Sequence, residues 1–239
     1  MITAIGFDLD DTLLHCDCYY QRAAKRYAEF LGPKAGISPE QFFQEHYYPT
    51  QRRLIPQHGV GSDMMIMAAI QTAADLTESH QMPLNGSDLQ NLLKIGRDLF
   101  QSGFELLEGV REALDYVRER YDQRLLITHG HLTEQERKLE MHDLDDLFTS
   151  INIIGLKTVS AYRRILRRHG INPQNFLMVG NSVRSDIKPV LEIGGQAVLI
   201  PYESEWALDV TDAETTVPRL NSLADLPEYL KQSQGLRSA

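Results

Sequence analysis

Residues 2–12 have the sequence ITAIGFDLDDT, an apolar run that passes directly into three carboxylates and a threonine. The nearly continuous apolar stretch at 2–7 is typical of a β-strand that is buried on both faces, as in a parallel sheet. Open α/β sheets bind their ligands at the carboxyl ends of the strands, which is where this acidic cluster falls. The segment therefore predicts a core strand of an α/β fold with a polar site at its end.

The rest of the chain repeats this strand signal only far downstream. Apolar runs recur at 124–127, 150–154, 176–179 and 196–200. Helical patterns alternate with them, at about 108–120, 132–142, 158–169 and 186–193. This alternation predicts a Rossmann-like parallel sheet with helices on both faces.

The intervening segment, residues 17–103, contains no strand-like run and is dominated by helical periodicity. Helix starts of the capping-box type are expected at Ser38 and at Ser87. Met64 and Met65 belong to an apolar face that we interpret as the core of this segment. We therefore predict an all-helical cap domain at 17–103, inserted into an α/β core domain formed by 1–16 and 104–239.

The composition restricts the class of protein. Formal net charge is −9, from 24 basic and 33 acidic residues, which disfavours binding to nucleic acid or to anionic lipid. No apolar run approaches the roughly 18 residues of a membrane span, and the N-terminus does not resemble a signal peptide. Two cysteines, Cys16 and Cys18, are too few for a disulfide framework, so a cytoplasmic location is expected.

The acidic cluster itself carries the chemistry. Asp8 and Asp10 can reach one site, and without a cation their charges would repel each other. A hard divalent ion with oxygen ligands, such as Mg²⁺, relieves that repulsion. The alternative is a solvated acidic turn that caps a helix.

The D-x-D-x-T run at 8–12 resembles the first motif of the haloacid dehalogenase superfamily. The resemblance implies that Asp8 is the nucleophile, which becomes an aspartyl phosphate, and that Asp10 is the general acid and base. It also implies that Thr12 orients Asp10 and lies near the phosphate. Since dehalogenases of the superfamily lack the second aspartate, Asp10 favours the phosphohydrolase branch. Within that branch, the chain as a whole resembles the phosphoglycolate phosphatase and nucleotidase-like members.

The second and third motifs of the superfamily match at the ends of later strands. Thr128 would donate its hydroxyl to the phosphate, with His129 and Gly130 offering backbone N–H groups. His129 replaces the usual asparagine, and an H-x-H metal site with His131 is the weaker alternative. Lys157, before a helix, would neutralise Asp8 and the phosphate, although the usual proline after it is absent.

The fourth motif, residues 180–186, departs from the superfamily pattern at the metal. Asn181 stands where an aspartate is usual, so the predicted Mg²⁺ ligands are Asp8, Asp10, Asn181 and Asp186. Either Asn181 is a neutral ligand supported by Asp186, or metal affinity is reduced and the enzyme is weak.

These motifs together predict a Mg²⁺-dependent phosphomonoester hydrolase that acts on a small phosphorylated metabolite. The first alternative is a phosphomutase, which uses the same aspartate pair. The second is a weakly active member with a binding or regulatory role. The sequence leaves the oligomeric state open between monomer and homodimer.

Overall fold

The computed structural model describes residues 1–202 and 216–235. The chain divides into two compact units, one formed by Met1–Cys16 and Phe104–Ala239, the other by Asp17–Gly103. We call the first the α/β unit and the second the helical unit.

The α/β unit is built on a parallel sheet. Within the described residues its strands β1 to β5 are Ala4–Phe7, Gln123–His129, Ser150–Ile154, Phe176–Gly180 and Gln196–Leu199. Their spatial order is β3-β2-β1-β4-β5, and every neighbouring pair is parallel. All of the predicted strands are confirmed, and so is the Rossmann-like α/β fold class. The alternation of apolar runs with helical patterns was sufficient because both faces of the sheet are covered.

The described residues also form ten α-helices. Those of the helical unit, α1 to α5, are Asp17–Ala35, Pro39–Gln41, Tyr48–His58, Ser62–Ser79 and Gly86–Phe100. Those of the α/β unit, α6 to α10, are Val110–Arg118, Leu132–Met141, Val159–Arg168, Lys188–Glu192 and Leu226–Gly235. Short 3₁₀ turns lie at Asp145–Leu147, Pro173–Asn175 and Leu223–Asp225, and π-helical turns at Phe42–Tyr47 and Val183–Ile187.

The strand register brings the predicted site residues together. Phe7, the last residue of β1, pairs with Leu126 on one side and with Val179 on the other. Asp8 follows directly, whereas Thr128 and Asn181 follow within two residues of those partners. Because parallel strands end at the same edge of a sheet, these residues emerge side by side.

The sheet is held by apolar packing that leaves no room for side chains at some positions. All four residues of β1 are buried. A Cβ atom on Gly6 would lie 2.5 Å from Cζ of Phe176, so the glycine makes room for that ring. Leu125, Ile127 and Met178 pack in the same buried cluster as Phe176. Each such side chain contributes roughly 1.5–3 kcal/mol by its removal from water.

The helical unit shows how its helix starts are specified. The capping box predicted at Ser38 is confirmed, since Ser38 accepts from the N–H of Gln41 and the Gln41 side chain accepts in return. The start predicted at Ser87 is wrong by two residues. Asn85 is the N-cap of α5, because its side chain accepts from the N–H groups of Ser87 and Asp88.

The predicted apolar face of the helical unit is confirmed as core at Met64 and Met65, which are buried in α4. Aromatic rings extend this core. The ring of Tyr47 stacks on that of Phe42, with 5.5 Å between the ring centroids, and its centroid lies 6.0 Å from that of Tyr27. No helix of the described residues is both long enough and apolar enough to cross a bilayer.

A packing test follows for α5. A methyl group on Gly96 would overlap the side chain of Ile66 on α4, so crowding should outweigh the gain in helix propensity. We expect Gly96→Ala to lower the free energy of unfolding by about 1–2 kcal/mol in urea titrations. Gly86→Ala is the matched control, since no atom lies within 4 Å of its added Cβ. Equal stability changes in the two variants would contradict the close packing of α4 on α5.

Candidate active site

Lys157 links two buried carboxylates. Its ammonium group donates to Asp8 Oδ1 and, at 2.7 Å, to Asp186 Oδ1. Asp8 is 6% exposed and Asp186 fully buried, so both charges lie away from bulk water. Two carboxylates therefore share one lysine, which leaves a net negative charge at the end of β1.

The pKa values follow from that imbalance. Burial raises the pKa of Asp8 above its ordinary value, since the opposing attraction of Lys157 is insufficient and Asp10 adds repulsion. Burial and the charge of Asp8 raise the pKa of Asp186 to about 6, again against the effect of Lys157. Burial alone would lower the pKa of Lys157, but Asp186 and Asp8 hold it above its ordinary value.

Asp186 is fixed by the loop after β4. Its Oδ2 accepts from the backbone N–H of Ser182 at 3.0 Å. Any Cβ atom on Gly180 would overlap the carboxyl group of Asp186, so the glycine that ends β4 is what admits this side chain. Asp186 is thus held in place both by the backbone N–H of Ser182 and by the charge of Lys157.

Thr12 contacts different partners from those expected. Its hydroxyl donates to Asn181 Oδ1 at 3.1 Å and lies 3.5 Å from Asp8 Oδ2. The prediction that Thr12 orients Asp10 is therefore wrong. Thr12 instead draws the oxygens of Asp8 and Asn181 to one point, because both can accept from the same hydroxyl.

Asp10 is paired with a different lysine. Lys138 Nζ, on α7, lies 2.9 Å from Oδ1 and 3.0 Å from Oδ2 of Asp10. The thiol of Cys16 donates to Oδ1 at 3.1 Å, and Gln135 Nε2 lies 3.4 Å from Oδ2. Burial would raise the pKa of Asp10, but Lys138, Cys16 and His129 together hold it below its ordinary value.

Asp11, between the paired aspartates and Thr12, has a structural role. Its backbone lies in the left-handed region, with φ 59°, which aspartate tolerates better than most residues. Its Oδ1 accepts from the N–H of Cys16 at 2.9 Å, and its N–H donates to the Leu14 carbonyl. Asp11 therefore shapes the turn that follows Asp10.

The second motif is placed at the end of β2, with one difference. The hydroxyl of Thr128 accepts from Gln135 Nε2 at 2.7 Å and donates weakly to the His129 carbonyl at 3.5 Å. The N–H of Gly130 donates to the Ile154 carbonyl at 3.3 Å. The predicted donation from Gly130 to a phosphate disagrees with this contact, because a single N–H is already committed to the edge strand β3.

Sequence reasoning missed three partners of Asp10 and Thr128, namely Cys16, Gln135 and Lys138. No local signal in the sequence marks Gln135 and Lys138, because polar residues in a helix are usually exposed. The structure shows that the buried residues of α7 are Glu134, Gln135, Lys138 and Leu139, whereas Leu132 is 55% exposed. A polar face turned inward marks a site rather than a core.

The oxygens near Asp8 fit a hard divalent cation in part. Asp8 Oδ2 and Asn181 Oδ1 converge on Thr12, and both are ligand types that Mg²⁺ prefers. Asp10 is less available as a carboxylate ligand in this arrangement, because Lys138 contacts both of its oxygens and already compensates their charge. Asp186 is engaged by Lys157 and Ser182. Within the described residues, no three His, Cys, Asp or Glu side chains form a ready metal cluster.

The fold and these motifs agree with the comparisons with known proteins. A family model described as haloacid dehalogenase-like hydrolase matches residues 2–194, so the chain belongs to this family of hydrolases. A structure of a haloacid dehalogenase-like family hydrolase from Xanthomonas campestris has a TM-score of 0.84 and 32% identity, covering 100% of this chain and 95% of that one. A HAD-hydrolase from Bacillus subtilis, solved bound to magnesium, has a TM-score of 0.66 at 16% identity, covering 96% and 99%.

A glyceraldehyde 3-phosphate phosphatase from Methanothermobacter thermautotrophicus is 25% identical over 93% of this chain and 93% of its own length. Two Pyrococcus proteins of the same name match over a shorter stretch, 53% of this chain. The aligned part of this chain spans about half the length of these relatives, 55% in Pyrococcus furiosus and 56% in Pyrococcus abyssi.

The raised pKa of Asp186 gives a pH prediction. Its value of about 6 exceeds the ordinary 3.8, so between about pH 4 and 6 the native state binds more protons than the unfolded state. This group therefore makes the unfolding free energy fall as pH rises through that window, by at most about 3 kcal/mol. Asn mimics the protonated acid, so Asp186→Asn should remove this fall in urea titrations at pH 4, 5, 6 and 7 with EDTA. If the unfolding free energies of the wild type and of Asp186→Asn changed equally with pH, the raised pKa of Asp186 would be contradicted.

Proposed function

We propose that this hydrolase cleaves phosphomonoesters through an aspartyl phosphate on Asp8, with Asp10 as general acid and base. The observation that carries the proposal is the unequal pairing of the two carboxylates. Asp8 shares Lys157 with Asp186, whereas Asp10 has Lys138. The two acids therefore lie in different surroundings: Asp8 borders the lysine that can neutralise a phosphate, whereas Asp10 borders a separate lysine on α7.

In the first step Asp8 attacks phosphorus, and a bond forms from its carboxylate oxygen as the ester P–O bond breaks. Lys157 lies against Asp8 and can neutralise charge on the incoming phosphate. The Thr128 hydroxyl accepts from Gln135 and donates only weakly, at 3.5 Å, to the His129 carbonyl, so a phosphate oxygen can replace that carbonyl as acceptor. These contacts support the roles that the sequence motifs predict.

Asp10 supplies the proton that the leaving oxygen takes up as the P–O bond breaks. The resulting carboxylate then removes a proton from the water that attacks the aspartyl phosphate, which releases inorganic phosphate and restores Asp8. Proton balance is thus closed within one turnover. The side chain of Asp10 is 24% exposed, whereas that of Lys138 is fully buried. Within this ion pair, Asp10 is therefore the group that solvent or a substrate can reach.

Mg²⁺ is the proposed cofactor, with Asp8 and Asn181 as ligands and Asp186 as support. When bound, the ion offsets the negative charge of the phosphate and of the acidic site. The net negative charge around Lys157 and the convergence of Asp8 and Asn181 on Thr12 support this assignment. The family membership and the magnesium-bound Bacillus subtilis neighbour agree with it.

The proposed substrate class is a small phosphorylated metabolite. The names of the Methanothermobacter and Pyrococcus relatives favour a short sugar phosphate such as a triose phosphate. We further propose that the helical unit, Asp17–Gly103, acts as a cap that contacts the leaving group.

The nucleophile is tested by Asp8→Asn. We expect Mg²⁺-dependent release of phosphate from p-nitrophenyl phosphate to fall by more than about 10³-fold, because the amide cannot attack phosphorus. Thermal unfolding should occur at the same or a higher temperature, since the buried carboxylate has a raised pKa and its charge is costly. Asp11→Asn is the control and should keep its activity, because Asn tolerates the left-handed turn. Substantial activity in Asp8→Asn would refute the mechanism.

The metal ligand is tested by Asn181→Asp. An added negative charge should lower the Mg²⁺ concentration for half-maximal activity several-fold, because charge count tunes the affinity of oxygen sites. Asn175→Asp, before β4 at the opposite end of the strand, adds the same charge and should leave that concentration unchanged. If the two variants behave alike, Asn181 is not a ligand.

A further inference from the structure

Helix α7 carries an unusual set of buried polar side chains. Lys138 is 0% exposed, and Glu134 and Gln135 are each 1% exposed. Such residues are almost never enclosed unless they are partnered. The aspartyl-phosphate scheme uses none of them directly, so their burial requires another explanation.

Lys138 is enclosed around the carboxylate of Asp10. Its ammonium group contacts both Asp10 oxygens and lies 4.6 Å from the ring centroid of Phe104, a cation–π distance. Glu134, one helical turn earlier, lies 3.8 Å from the same ammonium. An ammonium that meets both oxygens restrains the plane of the carboxylate and not only its position.

Gln135 connects this carboxylate to the second motif. Its side-chain nitrogen lies 2.7 Å from Thr128 Oγ1, 3.2 Å from the His129 carbonyl and 3.4 Å from Asp10 Oδ2. A Cβ atom on Gly130 would approach within 3.0 Å of the Gln135 side chain, so the loop is packed tightly on the amide. Gln135 therefore fixes the distance between Asp10 and Thr128, the proposed hydrogen-bond donor to the phosphate.

We propose that Lys138 and Gln135 are positioning residues that hold the Asp10 carboxylate in the orientation needed for proton transfer to the leaving group and from water. The inference rests on the proposed function and deepens it. Lys157 forms the ion pair with Asp8, and Lys138 forms the ion pair with Asp10. The two lysines thus divide the site, with one serving phosphoryl transfer and the other serving proton transfer.

The test uses leaving groups that differ in their need for a proton. An alkyl phosphate such as glycerol 3-phosphate expels a poor leaving group, whereas p-nitrophenyl phosphate expels a good one. For Lys138→Met we expect kcat/KM to fall by about 10²-fold with the alkyl ester and by less than about tenfold with the aryl ester, since general acid catalysis contributes at least about 10²-fold. A general structural defect would lower both alike.

A second readout isolates the breakdown of the aspartyl phosphate. If Asp10 is poorly oriented to deprotonate water, Lys138→Met should release a rapid burst of p-nitrophenol, close to one equivalent per enzyme, followed by slow turnover. A matched control is Lys231→Met, which removes an exposed lysine from α10 and should behave as the wild type. Circular dichroism and thermal unfolding establish that each variant is folded.

A double-mutant cycle links the effect to Asp10. In an Asp10→Asn background the additional change Lys138→Met should lower kcat/KM by less than threefold, because nothing remains for the lysine to orient. Full additivity of the two losses would overturn the inference. If Lys138→Met does not fold, Gln135→Met replaces it, and the same selective loss with the alkyl ester is expected.

The outcomes separate this inference from the proposed function. A wild-type protein that hydrolyses neither ester overturns the proposed function, and the inference with it. A wild-type protein that hydrolyses both, together with a Lys138 or Gln135 variant that loses both activities equally, overturns the inference alone. Selective loss combined with a non-additive cycle supports both.

Discussion

The structure depends on how the sheet accommodates two aspartates at the end of one buried strand. β1 delivers Asp8 and Asp10 to the same edge, and burial of an unpaired charge costs several kcal/mol. Each carboxylate is therefore met by its own enclosed lysine, Lys157 from the segment after β3 and Lys138 from α7. The two lysines come from different elements, so helices and strands must be placed together before either charge is compensated.

The compensation is unequal, and the chemistry follows from that inequality. Around Lys157, two carboxylates face one ammonium, which leaves this half of the site negative and suited to a cation. Around Lys138, both oxygens of Asp10 are occupied by one ammonium. Burial raises the pKa of Asp8 despite Lys157, whereas Lys138, Cys16 and His129 together hold that of Asp10 below its ordinary value. A single strand end thus carries two carboxylates in different electrostatic surroundings.

The sequence was informative wherever one local rule decides the structure. Apolar runs identified the five strands of the described residues, and the Ser38 capping box followed from its spacing. It was less accurate where several residues compete for one role. Asn85 and Ser87 can both cap α5, and only their geometry selects Asn85. Thr12 can reach several acceptors, and the strand order turns it to Asn181 rather than to Asp10.

By itself, therefore, the sequence determined the α/β fold, the acidic strand end and the family-like motifs, because these are written in short, local patterns. Only the tertiary structure decided which charges pair. Gln135 and Lys138 look like an ordinary exposed helix surface in the sequence, and Leu132 looks like its buried face. The structure reverses this, with Lys138 fully enclosed and Leu132 exposed. The reason is long-range electrostatics, since Asp10 lies 128 residues away and a buried lysine is stable only against such a partner.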